Sequence, residues 1–324
     1  MPIFWVSPVG VHGENFSSAL GPDHRGMPVK AGKASPDIGV FLFSIPKHRQ
    51  KWSNTLRDYA YPTLGDMSVS EISTRDIYDC LVDIWSTKSE TASRVRQRIE
   101  KIMGAAIALE HAEFPNPAVY KGNLEHLLGK SKSAEKQPSL DWRNIPALID
   151  HLRTDHSKAS LCLQLICLTA CRKTEIRLAR WDEINEAADQ WVIPASRMKM
   201  RQEHRIAITE QMKACLDQLR ENHLNGAFLF PSPQDNTKAF SDTVLDQKVR
   251  QCRDELKFNQ HWVIHGFRSS FKTWAGEVHS APREVTEACL AHATLGVEGR
   301  YFRGDFFDKR KELMNDWNSY CFEV

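Results

Sequence analysis

The sequence predicts a mainly helical protein with a small β-sheet, built as a smaller helical domain followed by a larger helical domain that carries the sheet. Three observations lead there. The 324 residues suffice for two domains of ordinary size. Apolar residues recur at helical spacing through most of the chain beyond residue 46. One interruption, WVI at 191–193 and RIAIT at 205–209, has the composition of short strands instead. The expected boundaries are a poorly ordered or vestigial segment over 1–44, a helical domain over 45–128, a linker over 129–139 and the larger domain over 140–324.

The N-terminal segment is rich in Gly, Pro and Ser and shows no sustained period. Its apolar start, MPIFWVSPVGV, is short and lacks a basic leader, so no signal peptide is expected. No apolar run approaches the roughly 18–20 residues that span a bilayer. The eight cysteines form no CxxC pair and read as buried thiols of a reducing cytoplasm, not as disulfides. Cys167 and Cys171 lie four apart and read as core packing, so no metal site is expected. Net charge is only +2, from 43 basic and 41 acidic residues, so any polyanion partner must be recognised by local clusters.

In the first domain, 89-SETASRVRQRIEKIMGAAIALEH-111 is amphipathic. Val95, Ile99, Ile102, Ala106 and Leu109 form its apolar stripe. Arg94, Arg98 and Lys101 share another face with Arg96 nearby, and Glu100 is the one acid among them. Ion pairing therefore accounts poorly for this face, and phosphate tracking becomes an even alternative to solvation. The polar stretch 129-GKSKSAEKQPS-139 reads as a linker. Beyond it, 144-NIPALIDHLRT and 159-ASLCLQLICLTACRKTEIRLARW are helical. The strands at 191–193 and 205–209 form a hairpin whose long connection carries Arg197, Lys199, Arg201 and His204. The helix that follows buries Met212, Leu216 and Leu219 on one face.

Three patterns carry chemistry. Arg172 and Glu175 are three apart and share a helical face; taken alone, such a pair is a surface ion pair worth about 0–1 kcal/mol. In 264-IHGFRSSFKTWAGEV-278, Phe267, Phe271, Trp274 and Val278 are spaced as a packed helix. His265 and Arg268 fall at its N-terminus, where free N–H groups and the dipole suit a phosphate, and a guanidinium forks onto two phosphate oxygens. In 287-EACLAHATLGVEGRYFRGDFFDKRKELMNDW-317, His292 ends an apolar helical stretch. Tyr301 follows nine positions later, ahead of Gly304 and a last helix with Phe306, Leu313 and Trp317.

Each pattern is weak alone. In order and context, Arg172, Lys199, His265, Arg268, His292 and Tyr301 resemble the active site of the tyrosine recombinase (phage integrase) family. RMKMRQEHRIAIT, IHGFRSSFKTWA and YFRGDFFDKRKELMNDW resemble its prophage and genomic-island subgroup, and WSNTLRDYAYPTLGDMSVSEIST and IWSTKSETASRVRQRIEKIMGAA are similar to that subgroup's core-binding domain. The resemblance covers about residues 46–320. It implies a helical core DNA-binding domain and a catalytic domain of the DNA breaking-rejoining fold, closing on double-stranded DNA at attachment-type sites. It also implies a homotetramer on DNA and accessory DNA-bending or directionality factors. Residues 1–44 do not resemble the arm-binding domain usual in that subgroup, which leaves regulated directionality without a sequence basis.

The implied roles agree with the residue chemistry. Making a phenolate from a group with pKa near 10 costs roughly 4 kcal/mol at pH 7, so Tyr301 needs a base and positive charge beside it. Arg172, supported by Glu175, and Arg268 would bind the phosphate's non-bridging oxygens, and His265 would assist proton transfer at the tyrosine. Lys199 would protonate the departing 5′-oxygen, and His292 would hydrogen-bond the phosphate. Lys199 is chosen over Lys213 for its place in the hairpin connection. The phosphotyrosyl link conserves the phosphodiester energy, so neither ATP nor a metal cofactor is implied. Contacts to DNA are expected from Arg94, Arg96, Arg98, Lys101, Arg197 and Arg201. Three other readings compete: a type IB topoisomerase, which acts without synapsis, an inactive DNA-binding remnant of a prophage integrase, and a helical scaffold.

Overall fold

The computed structural model describes residues 46–109, 111–113, 115–130, 137–221, 226–292 and 304–323. They fall into two compact units, divided between residues 135 and 136.

In the first unit, helices α1 (Pro46–Tyr59), α2 (Tyr61–Leu64), α3 (Thr74–Thr87), α4 (Ser89–Ala108) and α5 (Glu125–Leu128) surround one apolar core. Ser73 and Asp76 start α3 with a reciprocal capping box, each side chain meeting the other's backbone N–H. Most of the α4 stripe packs as its spacing requires: Val95 and Ile99 are buried against Leu56, Ile77, Leu81 and Leu124, Ala106 is buried, and Ile102 is half-buried beside the buried Met103. Leu109 departs from the expectation. It lies one residue past the helix and is exposed. Gly129, expected to open the linker, is tied to this unit, because its carbonyl accepts from Trp85 Nε1 (3.3 Å) and the Tyr120 hydroxyl (2.7 Å).

The second unit is organised around α7 (Lys158–Thr169), which follows α6 (Ile145–Arg153). Ser160 to Thr169 are all buried, so α7 is enclosed on every side and forms the centre of the core. Short α8 (Lys173–Arg177) leads to the strands β1 (Ile184–Asn185), β2 (Gln190–Ile193) and β3 (His204–Ala207). They pair antiparallel in the order β1-β2-β3, with Trp191 opposite Ile206 and Ile193 opposite His204. The expected hairpin is thus present and gains a third, very short strand. Helices α9 (Glu210–Glu221), α10 (Asp242–Leu256), α11 (Phe267–Glu277), α12 (Arg283–Cys289) and α13 (Phe307–Cys321) complete the unit. On α9, Met212, Leu216 and Leu219 are buried as their spacing predicts.

Two local arrangements fix the floor of the site. At the C-terminal end of α7, the carbonyls of Cys167 and Leu168 accept hydrogen bonds from Trp317 Nε1 and Asn318 Nδ2 of α13, both at 3.1 Å. At the start of α11, Gly266 packs against the chain at 138–139. A Cβ there would lie 2.4 Å from the Pro138 carbonyl oxygen and 2.6 Å from Ser139 Cα, which no side chain tolerates. Val263 N–H donates to that same carbonyl, and Leu140 is buried in the core. The second unit therefore includes Pro138 and Ser139, which the sequence had suggested were linker. Val278, expected on the buried face of α11, lies past its end and is 52% exposed.

Candidate active site

Arg172 stands at the N-cap of α8, not within a helix as its spacing from Glu175 had suggested. Glu175 is buried at the third helical position. Its carboxylate accepts the Arg172 backbone N–H at 2.9 Å and Nη1 of the same residue at 2.7 Å. The pair is thus no exposed ion pair. Removing either partner strands a charge, at a cost of about 3 kcal/mol or more. The other arm of the guanidinium, Nη2, reaches the Ala291 carbonyl at 3.4 Å.

Arg268 lies in the first turn of α11 and is only 5% exposed. Its Nη1 donates to the Ala170 carbonyl and its Nη2 to the Leu290 carbonyl, both at 2.6 Å. The same Nη2 lies 2.8 Å from His292 Nε2. Burial pushes its pKa below the ordinary value, yet a guanidinium remains charged at any physiological pH. Ala170 and Ala291 both adopt left-handed backbone conformations, with φ of 50° and 47°. Their carbonyls are turned toward the two arginines.

His292 follows α12 and contacts Glu287 through Nδ1. His265 is exposed in the short 3-10 turn Ile264–Gly266. Desolvation and the charges of Arg268, Arg172, His292 and Lys199 push its pKa below the usual value, so it stands neutral with a lone pair for a proton. Lys199, exposed in the β2–β3 connection, is close enough for its charge to act on that ring. Arg172, Lys199, His265, Arg268 and His292 therefore form one cluster. Tyr301 lies outside the described residues.

The expected DNA-contacting residues divide. Arg94 pairs with Glu90 and Arg96 with Glu100, so ion pairing explains more of the α4 basic face than its sequence implied. Arg96 is also buried and donates to the Ala118 carbonyl at 2.9 Å. Arg98 and Lys101 lie over the Trp52 ring, at 5.3 and 5.9 Å from its centroid. Arg197 turns inward to Glu183 and the Glu175 carbonyl, anchoring the β2–β3 connection to α8. Arg201 is exposed.

Several contributors to the cluster carried no signal in the sequence, and His204, expected in the hairpin connection, is instead the first residue of β3. Glu287 contacts His292, and Lys272 contacts Glu287. The carbonyls of Ala170, Leu290 and Ala291 could not be read from side-chain types at all. His204, on β3, is buried, and its pKa is lowered to about 3 by burial and by the charges of Arg310, Arg268 and Arg172. Arg205, beside it, pairs with Asp305 at 2.7 Å, and Arg310 of α13 donates to the Arg205 carbonyl. These contacts bind the strand that ends the Lys199 connection to the start of α13.

The fold, mainly helical with a short antiparallel sheet, is shared with DNA-bound integrases of solved structure. A lambda integrase dimer bound to a COC′ core site superposes with a TM-score of 0.65 at 16% identity, covering 86% of this chain and 78% of that one. The Tn1549 transposon integrase in complex with circular intermediate DNA gives a TM-score of 0.63 at 10% identity, covering 86% and 97%. The phage integrase central domain matches residues 43–123, and the phage integrase family model matches residues 138–306. The chain belongs to the phage integrase family. It is 29% identical over 272 residues to prophage integrase IntA of Escherichia coli K12 and 26% identical over 290 residues to the integrase of Enterobacteria phage P4. These alignments cover 82% and 84% of this chain but 63% and 64% of those relatives.

Proposed function

We propose that the protein is a site-specific DNA recombinase that cleaves and rejoins DNA through a 3′-phosphotyrosyl intermediate, integrating or excising a prophage or genomic island. The observation that carries this reading is the pairing of Arg172 and Arg268, each aimed by main-chain carbonyls and joined at residues 290–292. Two fixed guanidiniums side by side suit the two non-bridging oxygens of one phosphodiester.

Tyr301 attacks the phosphorus, and its proton passes to neutral His265. The phosphorus–5′-oxygen bond breaks, and Lys199 protonates the departing oxygen. The product is a tyrosine–3′-phosphate link and a free 5′-hydroxyl. A 5′-hydroxyl from a partner duplex reverses the step and completes strand exchange. Arg98, Lys101 and Arg201 are the basic residues offered to the DNA backbone. Assembly as a tetramer is part of the proposal, since lambda integrase has been solved as a tetramer on a Holliday junction.

The test uses nicked suicide duplexes carrying candidate attachment sites. Wild-type protein is expected to form a covalent DNA adduct, and Tyr301→Phe none. An adduct that persists in Tyr301→Phe sinks the assignment of the nucleophile. DNA binding without any adduct from wild type favours an inactive DNA-binding remnant instead.

A further inference from the structure

We infer that Glu287 is a positioning residue of this site, acting through His292. The inference rests on the recombinase reading, which is what gives His292 work at the phosphate.

The His292 side chain is 41% exposed, so packing alone does not set the plane of its ring. Its two nitrogens are held instead. Nε2 lies 2.8 Å from Nη2 of Arg268, and Nδ1 meets the carboxylate of Glu287. A guanidinium has donors only, so the contact at Nε2 requires a lone pair there. The ring proton is therefore on Nδ1 and is donated to Glu287. A carboxylate on one imidazole nitrogen fixes both the tautomer and the ring orientation, as it does for histidines that serve metals or nucleophiles.

Glu287 is suited to this task. It sits on α12, five residues ahead of His292, and is mostly buried, with 23% of its side chain exposed. Burial opposes its ionisation, but Lys272 and His292 outweigh burial and hold its carboxyl below the usual pKa. Lys272, on the facing helix α11, grips the second carboxylate oxygen. One carboxylate thus ties α11, which carries Arg268, to the turn that carries His292. Held at Nδ1 by Glu287, the ring keeps Nε2 beside Arg268 and facing the phosphate that Arg268 would bind.

The contribution is separable from a merely structural one by a double-mutant cycle. Covalent adduct formation on saturating suicide DNA would be measured for wild type, Glu287→Gln, His292→Gln and the double variant, with DNA affinity measured alongside. Glu287→Gln is expected to slow adduct formation by about 10–100-fold, the usual cost of losing such a supporting carboxylate, with DNA affinity unchanged. In the His292→Gln background the same substitution should add nothing. Glu287→Asp keeps the charge but withdraws it by one methylene, and should give the same pattern with a smaller loss. Equal losses in both backgrounds, or no loss in either, overturn this inference while leaving the recombinase reading intact. A wild-type protein that forms no adduct overturns both.

Discussion

Replacing His204 isolates one proton-linked contribution to folding. The ring is buried on β3 among the charges of Arg310 on α13, Arg268 on α11 and Arg172 beside α8, with the opposing charge of Asp305 nearby. Burial and the three arginines hold its pKa at about 3, against 6.5 for an ordinary histidine. Below pH 6.5 the unfolded chain takes up a proton that the folded chain refuses, so stability falls as the pH falls. The full contribution is present above 6.5 and is lost progressively down to about 3.

At about pH 5 the unfolded ring is almost fully protonated and the folded ring almost fully neutral. The loss from pH 6.5 to 5, at about 1.4 kcal/mol per pH unit, is therefore about 2 kcal/mol. Because pH 5 lies well above the folded value, this figure depends on the unfolded ring alone. The carboxylates held low by their partners, Asp155 and Glu287 among them, lose their contributions only near and below pH 4. Denaturant titration followed by tryptophan fluorescence, at about pH 7.5 and pH 5, gives the two stabilities. The wild type is expected to lose about 2 kcal/mol more between these conditions than His204→Gln, which has no ring to charge. Equal losses would show that His204 already binds its proton in the folded state, and would refute the reasoning.

Two further predictions concern residues whose sequence context misleads. Arg96→Met removes a buried guanidinium bonded to Glu100 and the Ala118 carbonyl. It should lower stability by about 2 kcal/mol in thermal or chemical melts, without changing the salt dependence of DNA binding. Loss of a phosphate contact would instead reduce that slope by roughly one. Gly266→Ala would drive a methyl into the Pro138 carbonyl. It should cost about 1–3 kcal/mol and slow adduct formation, since the turn it distorts carries His265 and leads into Arg268; a neutral result in both assays would mean the close approach is absent.

How far the sequence could be read follows from what each residue type reveals. Periodicity located α4, α7 and α9 because apolar side chains record burial directly. It failed at helix ends, where Leu109 and Val278 continue the period after the backbone has left the helix. The arginines and histidines that the fold gathers were legible because those residue types in three ordered patterns are distinctive. Their supports were not. Ala170 and Ala291 contribute through carbonyls, which every residue has, and Glu287 is one acid among many until the fold brings it to His292. The basic face of α4 was read too freely, since Glu90 lies outside the run of bases yet pairs with Arg94 across one turn.

The strain at the two alanines explains how so small a cluster of cations is held. A left-handed conformation costs a residue with a Cβ roughly 1–2 kcal/mol. Both instances fall where a carbonyl must turn back toward a guanidinium: Ala170 after α7 toward Arg268, Ala291 after α12 toward Arg172. Without those carbonyls, two arginines near each other would repel and swing apart. Carbonyl dipoles offset that repulsion without the neutralising effect of a carboxylate on every arm, so the positive charge a phosphate would meet is retained. Glu175 is the exception that fits the same logic. It is buried and bonds one arm of Arg172 together with that residue's N–H, fixing the side chain to its own backbone. On the recombinase reading the strain belongs to the preorganisation of the site, and relief of it by a looser backbone would release the arginines it aims.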